Sequence, residues 1–187
     1  CTGNSFAAPH IAGLSALDLG CGTAILAIAA IKLGVERALG VDIDPEAIQA
    51  AQENVAANGV EPQIELAVGS LEEVLAGRFG LRQSGLVLAN ILAPVLVRLL
   101  GEGLADLLEP GGVLVLSGIL AEQAGEVQAA LEKSGLRLIE TRQMGDWVAL
   151  VGAVGNEDGA HHTIAECLQA LNDTGFSVAP TARLSML

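Results

Sequence analysis

The sequence predicts an α/β fold, a mostly parallel seven-stranded sheet with helices on both faces and an antiparallel hairpin at its C-terminal end. Three observations predict it. Short apolar runs that read as buried strands alternate with segments at helical spacing, the alternation that builds a parallel sheet covered on both sides. A glycine turn, Gly20-Cys21-Gly22, separates the first such strand from the first helix. Towards the end, two strand-like runs flank Met144-Gly145-Asp146, which has the composition of a hairpin.

The elements follow in order. Residues 15–19 are a short apolar strand, and residues 24–33 an apolar helix. Residues 37–41 form the second strand, which ends in Asp42-Ile43-Asp44-Pro45. Pro45 suits the first turn of a helix and Asp44 its N-cap, so residues 45–58 are helical until Asn58-Gly59 stops them. A strand at 63–67, a short helix at 71–75 and a surface loop over 77–85 come next. Residues 86–89 are an apolar strand that ends at Asn90. A helix over 95–108 stops before Pro110-Gly111-Gly112, followed by a strand at 113–117 and a helix at 122–134. The hairpin strands are 137–143 and 147–154, with Trp147 expected to pack against the sheet. Beyond Gly155, residues 156–159 read as a linker and 160–174 as one helix. The expected organisation is therefore an N-terminal lead-in at 1–14, one domain at 15–154, and a linker with a C-terminal helix and tail at 155–187.

Composition narrows the class. The 187 residues suit one domain with short appendages, and 51% hydrophobic content suffices for a sizeable core. No apolar run free of charge or glycine is long enough for a membrane span, which points to a soluble protein. The chain begins at Cys1 without a signal-peptide pattern, as a fragment would. Nine basic against 22 acidic residues give a net charge of −13, which argues against nucleic-acid binding and for a basic or neutral partner, although acidity also serves solubility alone. Cys1, Cys21 and Cys167 form no paired motif, and His161-His162 with Cys167 lack a fourth ligand. Neither a disulfide framework nor a metal site is expected, and the reducing cytoplasm is the expected compartment.

The chemistry gathers at strand ends. In an open parallel sheet, ligands bind at the carboxyl ends of the strands, near the point where strand order reverses. Gly20 and Gly22, Asp42 and Asn90 all fall at such ends. The glycines let the backbone approach a ligand, and the first turn of the following helix is expected to aim free N–H groups at it. Asp18 stands two positions before Gly20, where a carboxylate repels a pyrophosphate and welcomes a cation or hydroxyls. Asp42, 20 residues after Gly22, is placed to accept the hydroxyl protons of an adenosine ribose; a solvated turn acid is the plainer reading. A dinucleotide fingerprint, G-x-G-x-x-G, needs a third glycine where Ile25 stands. The alternative pattern, acidic-x-G-x-G-x-G, is met by Asp18, Gly20 and Gly22 with Ala24 in the last glycine's place. An alanine there either crowds the cofactor or is absorbed by a small backbone shift. Asp18 thus points to S-adenosylmethionine, whose sulfonium and amino group tolerate a carboxylate.

Six stretches then occur in order: Asp18-Leu19-Gly20-Cys21-Gly22-Thr23, Gly40-Val41-Asp42-Ile43-Asp44-Pro45, Ala89-Asn90-Ile91-Leu92-Ala93, Pro110-Gly111-Gly112, Ser117-Gly118-Ile119-Leu120 and Asp146-Trp147-Val148-Ala149-Leu150-Val151. Together they resemble the catalytic domain of the bacterial ribosomal protein L-eleven methyltransferase family, over about residues 15–154. The resemblance implies a Rossmann-like class I methyltransferase fold and S-adenosylmethionine as cofactor. It also implies methyl transfer to lysine side-chain and N-terminal amines of a large-subunit ribosomal protein. Asp18, Gly20, Cys21, Gly22, Asp42, Ile43, Ser70 and Asn90 would then hold the cofactor. Methyl transfer to an amine is an in-line displacement, so the site must exclude water and hold a neutral nitrogen behind the methyl. The Asn90 amide and the backbone carbonyls of Ile91 and Leu92 would accept the amine's hydrogens, desolvation having removed the ammonium proton. Read alone, Asn90 is a strand cap.

The chain departs from the family pattern at several places. The family's N-terminal substrate-recognition domain is not in the sequence, nor is its Thr-Gly-Thr-His-Pro-like segment. In its place residues 3–14 resemble the stretch around the nucleophilic serine of subtilase proteases, with Ser5 in the nucleophile's position but without the histidine and carboxylate that such a serine needs. Ser70 stands where a Gly-Asp pair often reads the adenine amino group, and Gly85 where Asp is common. Ser117 and Glu122 flank a loop at the mouth. The competing readings are a truncated or fused domain that keeps the fold but not the activity, a nucleotide-cofactor oxidoreductase, and a subtilase fragment.

Overall fold

The computed structural model describes residues 13–155. Seven strands, β1 (Ser15–Leu19), β2 (Arg37–Asp42), β3 (Ile64–Val68), β4 (Ser84–Asn90), β5 (Leu108–Leu120), β6 (Leu136–Met144) and β7 (Trp147–Val154), form one sheet in the order β3-β2-β1-β4-β5-β7-β6. The first five are parallel, and β7 runs antiparallel between β5 and β6. Strand order reverses between β1 and β4, beside the glycine turn. The helices are α1 (Ile25–Lys32), α2 (Pro45–Asn58), α3 (Leu71–Leu75), α4 (Ala93–Gly101) and α5 (Ala124–Lys133).

Two cores lie on the two faces, and alternation along each strand assigns its residues between them. Ala16, Ala38 and Leu88 pack with Ala27, Ile28 and Ile31 of α1 and with Ala51 and Val55 of α2. Leu17, Leu39, Val87, Leu114 and Leu116 pack on the other face with Leu96, Leu99 and Leu100 of α4 and Leu131 of α5. The small residues on the first face let α1 settle close to the sheet. By the same alternation Asp18, two residues beyond Ala16, faces α1.

Several boundaries differ from the sequence expectation, each for a local reason. The helix expected over 95–108 breaks at Gly103 (φ 102°), giving α4 and then a 3-10 turn, Leu104–Leu107. The strand expected at 63–67 begins one residue later, because Pro62 sits in a 3-10 turn, Glu61–Gln63. The loop expected through residue 85 ends earlier, since β4 starts at Ser84. That hydroxyl is fully buried and donates to the Ser15 carbonyl at 2.6 Å, a partner on another strand that makes a polar residue tolerable there. Pro110-Gly111-Gly112 interrupts β5 instead of preceding it: the pairing moves from Ser84↔Leu108 to Leu86↔Val113, so the intervening residues loop out as a bulge. A 3-10 turn, Ala121–Gln123, leads into α5. Trp147 is 38% exposed at the hairpin tip, opposite Met144. Ser5, the linker and helix expected after Gly155, and His161, His162 and Cys167 lie outside the described residues.

Candidate functional site

The first half of the site is the turn after β1. Gly20 (φ 69°) and Gly22 (φ 53°) both occupy the left-handed region that glycine enters without strain. The Gly20 and Cys21 amides donate to the Val41 carbonyl at 2.8 and 3.0 Å, and the Gly22 amide donates to Asp42 Oδ2 at 2.9 Å. Asp18 Oδ2 accepts from the Ala27 amide in the first turn of α1 at 3.1 Å. Asn54 of α2 donates from Nδ2 to the Thr23 carbonyl at 3.0 Å and fixes the far side of the turn. These bonds narrow the expectation that the turn and helix offer free N–H groups to a ligand, because the Gly20, Cys21, Gly22 and Ala27 amides are already taken. Of the two acids, Asp42 takes the turn's Gly22 amide and Asp18 an amide of the first turn of α1.

Asp18 is 1% exposed, and among the described residues no cation pairs with it. Burial pushes its carboxyl up to about 7; the Ala27 amide opposes the rise and the charge of Asp42 adds to it. Cys21 is buried, and burial together with Asp18 and Asp42 pushes its thiol up to about 12. Its sulfur is therefore protonated and no nucleophile, and its part in the turn is its backbone bond to Val41. Ala24, the N-cap of α1, is the one non-glycine residue with positive φ among the described residues (59°). Its methyl is fully buried among the α1-side core residues, so it points away from the open side of the turn.

The second group stands at the ends of β2 and β3. Asp42 Oδ1 accepts from the Asp44 amide at 3.0 Å, so both carboxylate oxygens are fixed by backbone. Asp44 in turn caps α2, accepting from the Glu46 amide at 2.9 Å. Next to Asp42, Ile43 is 77% exposed, and Val68, the register partner of Asp42 on β3, is 51% exposed. Ser70 donates from both its amide (2.9 Å) and its hydroxyl (2.6 Å) to Glu73 Oε2, capping α3. Those bonds hold the Glu73 carboxyl below its usual range and commit the Ser70 hydroxyl to the cap.

The third group follows β4. Asn90 is exposed and pairs in register with Ser117 of β5. The Ile91 side chain lies over Gly20: a Cβ on that glycine would sit 2.7 Å from Ile91 Cγ2. Leu92 presents a 70% exposed side chain, but its carbonyl already accepts from the Val95 and Leu96 amides at 2.9 and 3.1 Å to open α4. Asn90 Oδ1 and the Ile91 carbonyl are the acceptors that remain beside the turn. Ser117 lies next to Asn90, whereas Glu122 sits in the 3-10 turn that leads into α5.

Strand ends made Asp18, Asp42 and Asn90 visible in the sequence. Val68 and Gly118 were missed. Val68 has the signal of an apolar strand end followed by Gly69-Ser70, whereas Gly118 becomes visible only once β5 is placed beside β4. Two shallow cavities of about 270 and 310 Å³ lie along the β3 edge, around Arg37, Gln63 and Glu65 and around Gln52 and Glu61, away from these residues. Among the described residues no cluster of three His, Cys, Asp or Glu side chains could hold a metal, and no helix is long and apolar enough to cross a membrane.

Comparison with known proteins bears on this arrangement. The family model for ribosomal protein L11 methyltransferase (PrmA) matches residues 8–155. A ribosomal protein L11 methyltransferase from Azotobacter vinelandii is 48% identical over 143 residues, 76% of this chain and 46% of that protein. One from Pseudomonas aeruginosa is 45% identical over the same shares. The chain thus spans about half the length of the curated relatives it matches. The crystal structure of a ribosomal protein L11 methylase from Lactobacillus delbrueckii subsp. bulgaricus superposes with a TM-score of 0.66 at 33% identity, covering 78% of this chain and 72% of that one. A Rossmann-like class I methyltransferase sheet, a glycine turn flanked by Asp18 and Asp42, and a match over most of the chain agree: the chain belongs to the ribosomal protein L11 methyltransferase family.

Proposed function

We propose that residues 15–154 are the catalytic domain of an S-adenosylmethionine-dependent protein N-methyltransferase, with 1–14 and 155–187 outside that domain. The acceptors are lysine or N-terminal amines of a large-subunit ribosomal protein, in the cytoplasm, without direct contact to nucleic acid or membrane. The observation that carries this reading is the placing of Asp18 and Asp42 beside the glycine turn. Asp42 takes the Gly22 amide of the turn and Asp18 the Ala27 amide at the start of α1, and acids at these two places suit a cationic, phosphate-free nucleoside and disfavour the pyrophosphate of a dinucleotide. The nucleotide-cofactor oxidoreductase alternative loses support on that ground.

The residues present fit the cofactor. Asp18 is a buried acid with no cation beside it among the described residues, and an ammonium group of the methionine end would supply one. Asp42, held at the right edge of the turn by two backbone bonds, keeps lone pairs for ribose hydroxyls. Ile43 and Val68 offer exposed apolar surface for an adenine, while Ser70, whose amide and hydroxyl both go to Glu73, shapes the start of α3 beside it. When bound, S-adenosylmethionine supplies an electrophilic methyl group. Asn90 Oδ1 and the Ile91 carbonyl accept the hydrogens of the incoming amine and aim its lone pair. Leu92 contributes the exposed side chain that covers the mouth and keeps water out. Desolvation lowers the pKa of the entering ammonium, which gives up its proton to water before the site closes, and the Asn90 and Ile91 oxygens then orient the neutral amine, so no strong base is required.

Titration calorimetry with S-adenosylmethionine and with NAD tests the cofactor; heat from NAD alone overturns it. A methylation assay on the ribosomal protein, with and without an added N-terminal substrate-recognition domain, tests the activity. No methyl incorporation in either arm leaves the truncated, inactive domain as the correct reading.

A further inference from the structure

Several of the described glycines have a positive φ and open space around them. A Cβ on Gly22, Gly59, Gly135 or Gly145 would meet nothing within 4 Å. Gly118 (φ +78°) is different: a Cβ there would lie 2.7 Å from Asn90 Oδ1, 3.1 Å from the Ile91 carbonyl oxygen and 3.3 Å from the Ile91 nitrogen. From the opposite side, Gly20 meets the Ile91 side chain with the same absence of clearance, 2.7 Å to Cγ2. Gly118 thus lies against the Asn90 carboxamide and the Ile91 backbone, and Gly20 against the Ile91 side chain. A carbon approaches an oxygen comfortably no closer than about 3.3 Å, so a side chain at Gly118 would push the carboxamide by roughly 0.6 Å.

We propose that Gly118 is a positioning residue for methyl transfer: by carrying no side chain it seats Asn90 Oδ1 and the Ile91 carbonyl where they aim the acceptor amine. The proposal rests on the methyl-transfer reading above. Misplacement on the scale of an ångström costs about a hundredfold in rate when the reacting groups must be aligned, so a shift of this size should cost about tenfold. Gly118 touches neither Asp18 nor Asp42 within its crowded contacts, so cofactor binding, to which Asn90 adds only one of several contacts, should weaken far less than turnover.

The test uses the whole protein and three variants. Gly118→Ala adds the Cβ. Gly118→Asn adds it in a residue that tolerates positive φ, which separates crowding from backbone strain. Gly135→Ala meets the same backbone penalty (φ +85°) in open space. Each is titrated with S-adenosylhomocysteine, assayed for turnover and KM on the ribosomal protein, melted, and examined by NMR at the Asn90 side-chain amide. Both Gly118 variants should bind S-adenosylhomocysteine within about threefold of the parent, shift the Asn90 amide signals, and lose about tenfold in turnover. Gly135→Ala should keep both turnover and the Asn90 signals. Unshifted Asn90 signals, or turnover equal to that of Gly135→Ala, overturn the proposal. So does unfolding of both Gly118 variants, which would make the glycine structural. A parent that methylates no protein amine overturns the functional reading itself, and shows this before any substitution is made.

Discussion

Burial raises the Asp18 carboxyl from 3.8 to about 7, so the folded protein holds this proton across a range where the unfolded chain has released it. The stabilising contribution of the group is full below pH 3.8 and is lost as pH rises through 7. Asp18→Asn keeps the shape and an acceptor for the Ala27 amide, and should flatten that part of the stability–pH profile in denaturant titrations. An ammonium brought against the carboxylate favours its ionised form. Cofactor binding at pH 6 should therefore release a proton, seen as heats that differ between buffers of different ionisation enthalpy, and Asp18→Asn should abolish the difference and weaken binding about tenfold. Ala24→Gly relieves roughly 1–2 kcal/mol of left-handed backbone strain, offset by about 0.8 kcal/mol of lost methyl burial and roughly 0.5–1 kcal/mol of glycine entropy. Its melting temperature should hardly move, and cofactor affinity should stay within about twofold, because the methyl faces the core. A marked gain in affinity would show that Ala24 does crowd the ligand. At this scale the sequence revealed which residues stand at strand ends, since apolar runs stop there. It did not reveal that the turn's amides are occupied, because their acceptors, Val41 and Asp42, come from the neighbouring strand.

Among the elements, those with strong local signals were legible to the residue. Pro45 and Gly59 bracket α2, and Asp44 caps it. Asp44→Ala should cost about 1 kcal/mol in chemical denaturation. Elements whose limits depend on tertiary partners were not. Ser84 reads as loop until Ser15 is placed beside it, and the helix beyond α4 yields to Gly103. Close packing between layers is equally hidden: α5 lies so near β7 that a Cβ on Gly152 would come 2.8 Å from Leu131 Cδ1. Gly152→Val should destabilise by about 1–3 kcal/mol by forcing α5 off the sheet. Unchanged denaturation would mean that Leu131 swings aside freely.

For the whole molecule, alternation of elements predicted the class and the glycine turn predicted the place of the site, but the position of β7 between β5 and β6 required the pairing itself. The net charge of −13 suits a basic protein acceptor. Raising salt from roughly 50 to 300 mM should slow association with the ribosomal protein several-fold while leaving cofactor affinity nearly constant; a salt-independent rate would exclude charge steering. The strand order also bears on synthesis. Chain emerging from a ribosome can pair β1 to β5 as they appear, but β6 has no neighbour in the sheet until Trp147–Val154 emerges and slides in beside β5. Until then the long flank of β5 is an unprotected edge, open to pairing with another nascent chain. Among the described strands the sheet is thus completed from its interior by the last one made, and the interval between the emergence of β5 and that of β7 is when this edge stands open to another chain.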